Sequence, residues 1–125
     1  MDSAIFLLQQ IRKRPGLYLG VKSLTTLGRF MHGYTFREAA EAWMKETGLD
    51  FTENYDYFHK SFNILVKHPD SFDWREFDQY IFAHYNVEMG AKSGERIILE
   101  NSQSEEEAFD KYYELLDLYL NIQRI

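Results

Sequence analysis

Apolar positions recur along this chain at intervals of three and four, the spacing of one face of an α-helix. They seldom alternate with polar ones as a half-buried strand requires. In residues 3–14, Ile5, Leu8 and Ile11 keep the helical spacing, and Arg12, Lys13 and Arg14 fall in the last turn, where cations complement the helix dipole. Pro15 ends that helix, because a proline disfavours the α conformation of the residue before it. Gly16 and Gly20 then bracket Leu17-Tyr18-Leu19 as a hydrophobic corner, in which Leu17 and Leu19 are expected to be buried.

Ser23 or Thr25 caps a second, longer helix in which Leu24, Leu27, Met31 and Tyr34 form one stripe, continued by Phe36, Ala39, Ala40 and Trp43 up to a stop at Gly48. Gly28 and Gly33 inside it each cost about 1 kcal/mol relative to alanine. The helix should therefore meet a neighbour closely or break near Gly33. Residues 55–67, YDYFHKSFNILVK, place Phe58, Phe62 and Leu65 on one helical face, although FNILV equally suits a buried strand.

Asp73 and Glu76 give a start signal for a helix whose Trp74, Phe77, Ile81 and His84 or Tyr85 share a face. Gly90 and Gly94 frame a polar turn. RIILEN, residues 96–101, is too brief an apolar run for a helix and reads as a strand or extended segment. Ser104 and Glu107 form a capping box for the last helix, with Phe109, Tyr112, Leu116 and Tyr119 on one stripe and Leu115 and Ile122 beside it. The pattern predicts a mainly α fold: a single helical domain over residues 1–125, a bundle of four to five helices with one short strand or extended segment near 96–101.

Composition agrees with one packed domain. A chain of 125 residues with 45% hydrophobic and 17% aromatic content is too apolar for disorder and buries roughly two thirds of its unfolded surface. Cysteine is absent, which excludes disulfides and thiolate zinc sites and fits a reducing compartment. The first residues lack a basic n-region and a cleavage site, and no apolar run approaches the ~20 residues of a membrane span. The cytoplasm is the expected location, with no membrane partner.

Charge changes the picture of partners. Residues 1–37 carry six Lys/Arg against one acid, and residues 38–125 carry eight against nineteen, which sums to the net −6. A nucleic-acid ligand is not expected, since most of the chain would repel phosphate. A basic protein partner is.

Candidate chemistry is sparse. His32, His59, His68 and His84 show no HxxxH or HExxH spacing, so no metal is expected. No serine sits in a Gly-x-Ser-x-Gly elbow, and Asp70, Asp73 and Glu76 are explained by turn and cap chemistry. No catalytic residue, cofactor or small-molecule substrate is expected, and the chain does not read as an enzyme. What remains is an acidic, aromatic surface: LDFTENYDYF (49–58) and DSFDWREFDQY (70–80) interleave carboxylates with rings. The partner-binding candidates are Asp50, Glu53, Tyr55, Asp56, Tyr57, Asp70 and Asp78, with tyrosines as anchors and carboxylates for steering.

RKRPGLYLG, Arg12 to Gly20, resembles a segment near the start of the ATPase domain of DNA gyrase, over about nine residues. That family's Glu-x-x-x-Asn helix, Asp-x-Gly-x-Gly motif and Gly-rich lid have no counterpart here, so the likeness concerns a structural corner. More broadly, RPGLYLG (14–20), Ser23, Leu27, Gly33-Tyr34 and RIILENSQSEEEAFDKYYELLDLYL (96–120) resemble small bacterial immunity proteins of polymorphic toxin systems, of contact-dependent and Rhs type. Relatives often carry Trp before the Ile-Ile run where this chain has Gly94-Glu95, and residues 51–68 fit the pattern poorly. The resemblance implies a cytoplasmic inhibitor of a cognate toxin protein, possessing no chemistry of its own. The alternative is a non-catalytic regulatory or adaptor domain that binds another protein through the basic N-terminal face.

Overall fold

Pro15 divides the N-terminal segment into two helices. In the computed structural model, which describes residues 3–49, 72–88, 90 and 92–123, helix α1 (Ser3–Lys13) buries Ala4, Leu8 and Ile11 along one face. Arg14 leaves the helical region at φ −142° and ψ 65°, and Pro15 opens α2 (Pro15–Leu19) at its first position, where the missing N–H forfeits no bond. Gly20 closes α2 in the left-handed conformation, φ 78°, with its N–H donating to the Gly16 carbonyl at 3.0 Å.

The corner is not buried as the sequence suggested. Leu17 is 69% exposed, and only Leu19 packs against the core. A five-residue helix has too few turns to point both leucines inward. Leu17→Ala is accordingly expected to change stability by less than about 0.5 kcal/mol, read as an unmoved urea midpoint.

Ser23, rather than Thr25, caps α3 (Leu24–Thr47) by accepting the Thr26 N–H at 3.2 Å. The helix runs unbroken through Gly33, beside which there is open space; the close contact falls at Gly28. Gly48 stops it at φ 70°, with its N–H on the Met44 carbonyl at 2.9 Å. Asp73 caps α4 (Trp74–His84) through the Glu76 N–H at 3.0 Å, and Phe77 and Ile81 turn inward while His84 stays exposed.

The expected strand or extended segment at 96–101 is a helix, α5 (Gly94–Glu100). Ser93 caps it by accepting the Arg96 N–H at 3.2 Å, and Ile97 and Ile98 are both buried. Three consecutive apolar residues carry no period, so local pattern could not separate the two states. The polar turn near Gly90 thus ends before Gly94, which already belongs to α5.

Helix α6 (Glu105–Gln123) begins as the capping box foretold, with one change. Ser104 Oγ accepts the Glu107 N–H at 3.1 Å, but the Glu107 carboxylate returns to the Gln103 N–H at 3.2 Å. Ser104→Ala should cost about 1 kcal/mol in denaturant unfolding. Phe109, Tyr112, Leu115, Leu116 and Tyr119 are buried, while Ile122, placed beside them by the sequence, is 57% exposed.

Among the described residues these six helices, with no strand, share one main core, to which α1, α3, α4, α5 and α6 all contribute. Helix α6 packs against α3, α4 and α5, and α5 packs against α4 and α3. Tyr113 fixes α1 to α6 by donating its hydroxyl to the Leu8 carbonyl at 2.6 Å in the interior. Ala39, Ala40 and Trp43 make a second, smaller buried cluster on α3. Among the described residues no helix is long and apolar enough to cross a membrane. Residues 55–67, helix or strand by sequence, lie outside the described residues.

Candidate functional site

Where α3, α4, α5 and α6 converge, the packing leaves a cleft of about 300 Å³. Its apolar walls come from the inward stripes of two helices, Leu24, Leu27 and Met31 on α3 and Trp74 and Phe77 on α4. Its polar side chains come from different elements: His32 and Thr35 on α3, Asp78 on α4, Ser93 and Glu95 at the start of α5, and Tyr112 on α6.

Two glycines make room for the two carboxylates. A Cβ on Gly28 would overlap the Glu95 carboxylate, so only a glycine on α3 lets that group lie against the helix. A Cβ on Gly94 would stand 2.6 Å from Asp78 Oδ1 and 2.9 Å from Ile81 Cδ1. Asp78 in turn accepts the Gly94 backbone N–H, which fastens the start of α5 to α4.

Burial pushes both carboxyls above the usual carboxylate range. For Asp78 desolvation dominates, opposed by the Gly94 N–H. For Glu95 desolvation is again the main cause, reinforced by the Glu105 and Asp78 charges and opposed by Arg29. Tyr112, 8% exposed, has its hydroxyl pKa raised, first by burial and then by its neighbours Tyr113, Asp78 and Glu95. Neither carboxylate forms an ion pair with a described residue.

The sign of the resulting pH dependence follows. A carboxyl whose folded pKa lies above its unfolded one stabilises the fold only while protonated, so its contribution is lost as pH rises through the carboxylate range. Asp78→Asn keeps the acceptor for Gly94 and removes the charge. It should raise the Tm at pH 7 by about 2 to 4 °C, a modest figure because solvent still screens Asp78, with the advantage closing in acid.

Glu105 shows the opposite behaviour a short distance away. Burial alone would raise its pKa, but the Thr25 backbone N–H at 2.9 Å, the Thr25 hydroxyl at 2.7 Å and the Ser23 hydroxyl at 3.0 Å hold it below the usual range. It is a long-range cap for the start of α3, donated by the first residue of α6.

The N-terminal cations are engaged by α6. Arg12 makes a two-pronged ion pair with Asp117, both contacts at 2.8 Å, and lies 5.2 Å from the centre of the Tyr113 ring. Lys22 pairs with Asp110 at 2.9 Å and lies 5.8 Å from the Phe109 ring. Lys13 and Arg14 stay exposed.

Of the partner-binding candidates, Asp50, Glu53, Tyr55, Asp56, Tyr57 and Asp70 lie outside the described residues, and Asp78 lines the cleft. The rings near Asp78 are core: Phe72 and Phe77 are buried, in edge-on contact at 5.7 Å. Sequence reasoning missed Glu95 and treated Tyr112 as part of a core stripe. The available signal for Glu95 was Gly28, a costly residue in mid-helix that had to be answered by a close neighbour. Among the described residues no group of His, Asp and Glu could hold a metal ion. No family model, curated protein or solved structure matches the chain.

Proposed function

We propose that this domain is an immunity protein, which binds a cognate bacterial toxin in the cytoplasm and blocks its active or entry surface without chemistry of its own. The resemblance of residues 14–34 and 96–120 to immunity proteins of polymorphic toxin systems supports the reading. The structural observation that carries it is the way the cations are used. Arg12 and Lys22, part of the one basic segment, are held by Asp117 and Asp110 of the same chain. Each pair takes up one carboxylate with its cation, so the excess of carboxylates behind the net −6 remains to meet a partner. A basic toxin, such as a nuclease whose nucleic-acid groove would be covered, suits that surface.

The test is co-expression of the full chain with the product of the neighbouring gene, which this reading expects to be a toxin. A complex that co-purifies, and cells protected from the toxin, are the expected results. Charge reversal at Asp50, Glu53 and Asp56 should slow association and flatten its dependence on salt. If no complex forms, the immunity reading fails. If a complex forms but depends on Lys13 and Arg14 and ignores the acids, binding runs through the N-terminal face, where Leu17 and Val21 are also exposed, and the acidic surface is wrong.

A further inference from the structure

We propose that the cleft among α3, α4, α5 and α6 is a binding site for an organic cation, an apolar body carrying one ammonium or guanidinium group. The inference stands on the cleft alone and does not depend on the toxin reading.

The first support is the mismatch of charge inside it. Asp78 and Glu95 enter from separate helices, and each is seated by a glycine that no side chain could replace without displacing it or its neighbours. Carboxylates withdrawn from water are normally paired. Among the described residues the cation acting on Glu95, Arg29, is exposed and makes no ion pair with it, and Asp78 accepts only the Gly94 N–H. A positive group entering the cleft would complete both.

Tyr112 supplies the second, independent support. It is more than nine-tenths buried, it lines the cleft, and its hydroxyl makes no hydrogen bond with a described residue. The negative fields of Asp78 and Glu95 both reach that hydroxyl. A phenol held there can accept from an ammonium or guanidinium N–H, or donate to a carboxylate freed by the ligand's arrival.

Size and lining fix the rest of the ligand. About 300 Å³ lies at the lower end of the range of ligand pockets, and Leu27, Met31 and Trp74 offer apolar contact to a short aliphatic or aromatic body. An anion would face two carboxylates. A neutral apolar molecule would leave them unanswered.

The same chemistry can arrive as a free amine or as a lysine or arginine side chain of a protein. The full chain is titrated, with amide shifts followed by NMR, using phenethylammonium for the first source and N-acetyl-lysine methylamide and N-acetyl-arginine methylamide for the second. Saturable shifts around Asp78, Glu95 and Tyr112 are expected with at least one probe. Binding by phenethylammonium alone assigns the free amine, and binding by the capped residues alone assigns a partner's side chain. Asp78→Asn and Glu95→Gln should each weaken the effective probe by about tenfold or more, the loss expected for a charge-assisted hydrogen bond. Gly28→Ala, which gains helix propensity while placing a methyl where the Glu95 carboxylate lies, should weaken it as well and serves if either neutral variant misfolds. Equal affinity for the uncharged 2-phenylethanol, or no saturable shift with any of the three cations, overturns the proposal.

Discussion

Glu105→Ala should lower stability by about 2 to 4 kcal/mol, a large effect for a residue in the first turn of a helix. Its carboxylate accepts two hydroxyls and one backbone N–H from Ser23 and Thr25, at 2.7 to 3.0 Å, and so closes the start of α3 from the start of α6. Removing it leaves the Thr25 N–H without that partner at a half-buried helix end, while the Ser23 hydroxyl still serves Thr26. The individual losses do not add, because Ser23 and Thr25 share one acceptor.

The pH dependence separates this account from simple loss of packing. With a folded pKa below the unfolded one, Glu105 stabilises the fold above the unfolded value, and that contribution disappears as pH falls through the folded value. The stability gap between wild type and Glu105→Ala should therefore narrow as pH drops through and below the usual carboxylate range. Glu105 also raises the Glu95 pKa, so the variant should titrate Glu95 closer to an ordinary glutamate. A gap of constant size across that range, in urea unfolding at several pH values, would show that the charge does not matter.

This long-range cap marks the boundary of what sequence pattern can reveal. Asp73, Ser104 and Gly48 act within one turn of themselves and perform the role their local pattern suggested, and Ser23 is the one of two candidates, Ser23 and Thr25, that caps α3. Glu105 acts over 80 residues, and no spacing rule links it to Thr25. Helix α5 was misread because Ile97 and Ile98 satisfy a strand and a helix alike, and only packing against α3, α4 and α6 selects between them. Leu17 was misread for a related reason: an apolar residue in a short turn has no period from which its direction could be inferred.

The cleft was half legible. Gly28 pointed to a close approach or a break without saying what approaches, and Asp78 stands out in the sequence by its place in an acidic, aromatic stretch. Glu95 and Asp78 lie on different helices, so their meeting is a product of how α4 and α5 pack. Carboxylates that are half-buried and unpaired weaken a fold, and a site of this kind is where local consistency is expected to fail for the sake of binding.

Phe77→Ala should be the more damaging of the two substitutions, at about 3 to 5 kcal/mol. Phe77 is 1% exposed and sits at the centre of an aromatic group, with ring centres 5.4 Å from Tyr112, 5.3 Å from Tyr119 and 5.7 Å from Phe72. The loss combines the transfer of a large ring with the cavity left behind, since Tyr112 and Tyr119 are anchored on α6 and can close only part of the gap. Because Phe77 also forms a wall of the cleft, the new space should join it and admit a larger apolar body. Phe77→Leu, which refills most of the volume, should recover more than half of the loss. Urea unfolding of the two variants measures this directly: equal destabilisation by Leu and Ala would show that the edge-on ring contacts, rather than the filled volume, hold α4 against α6.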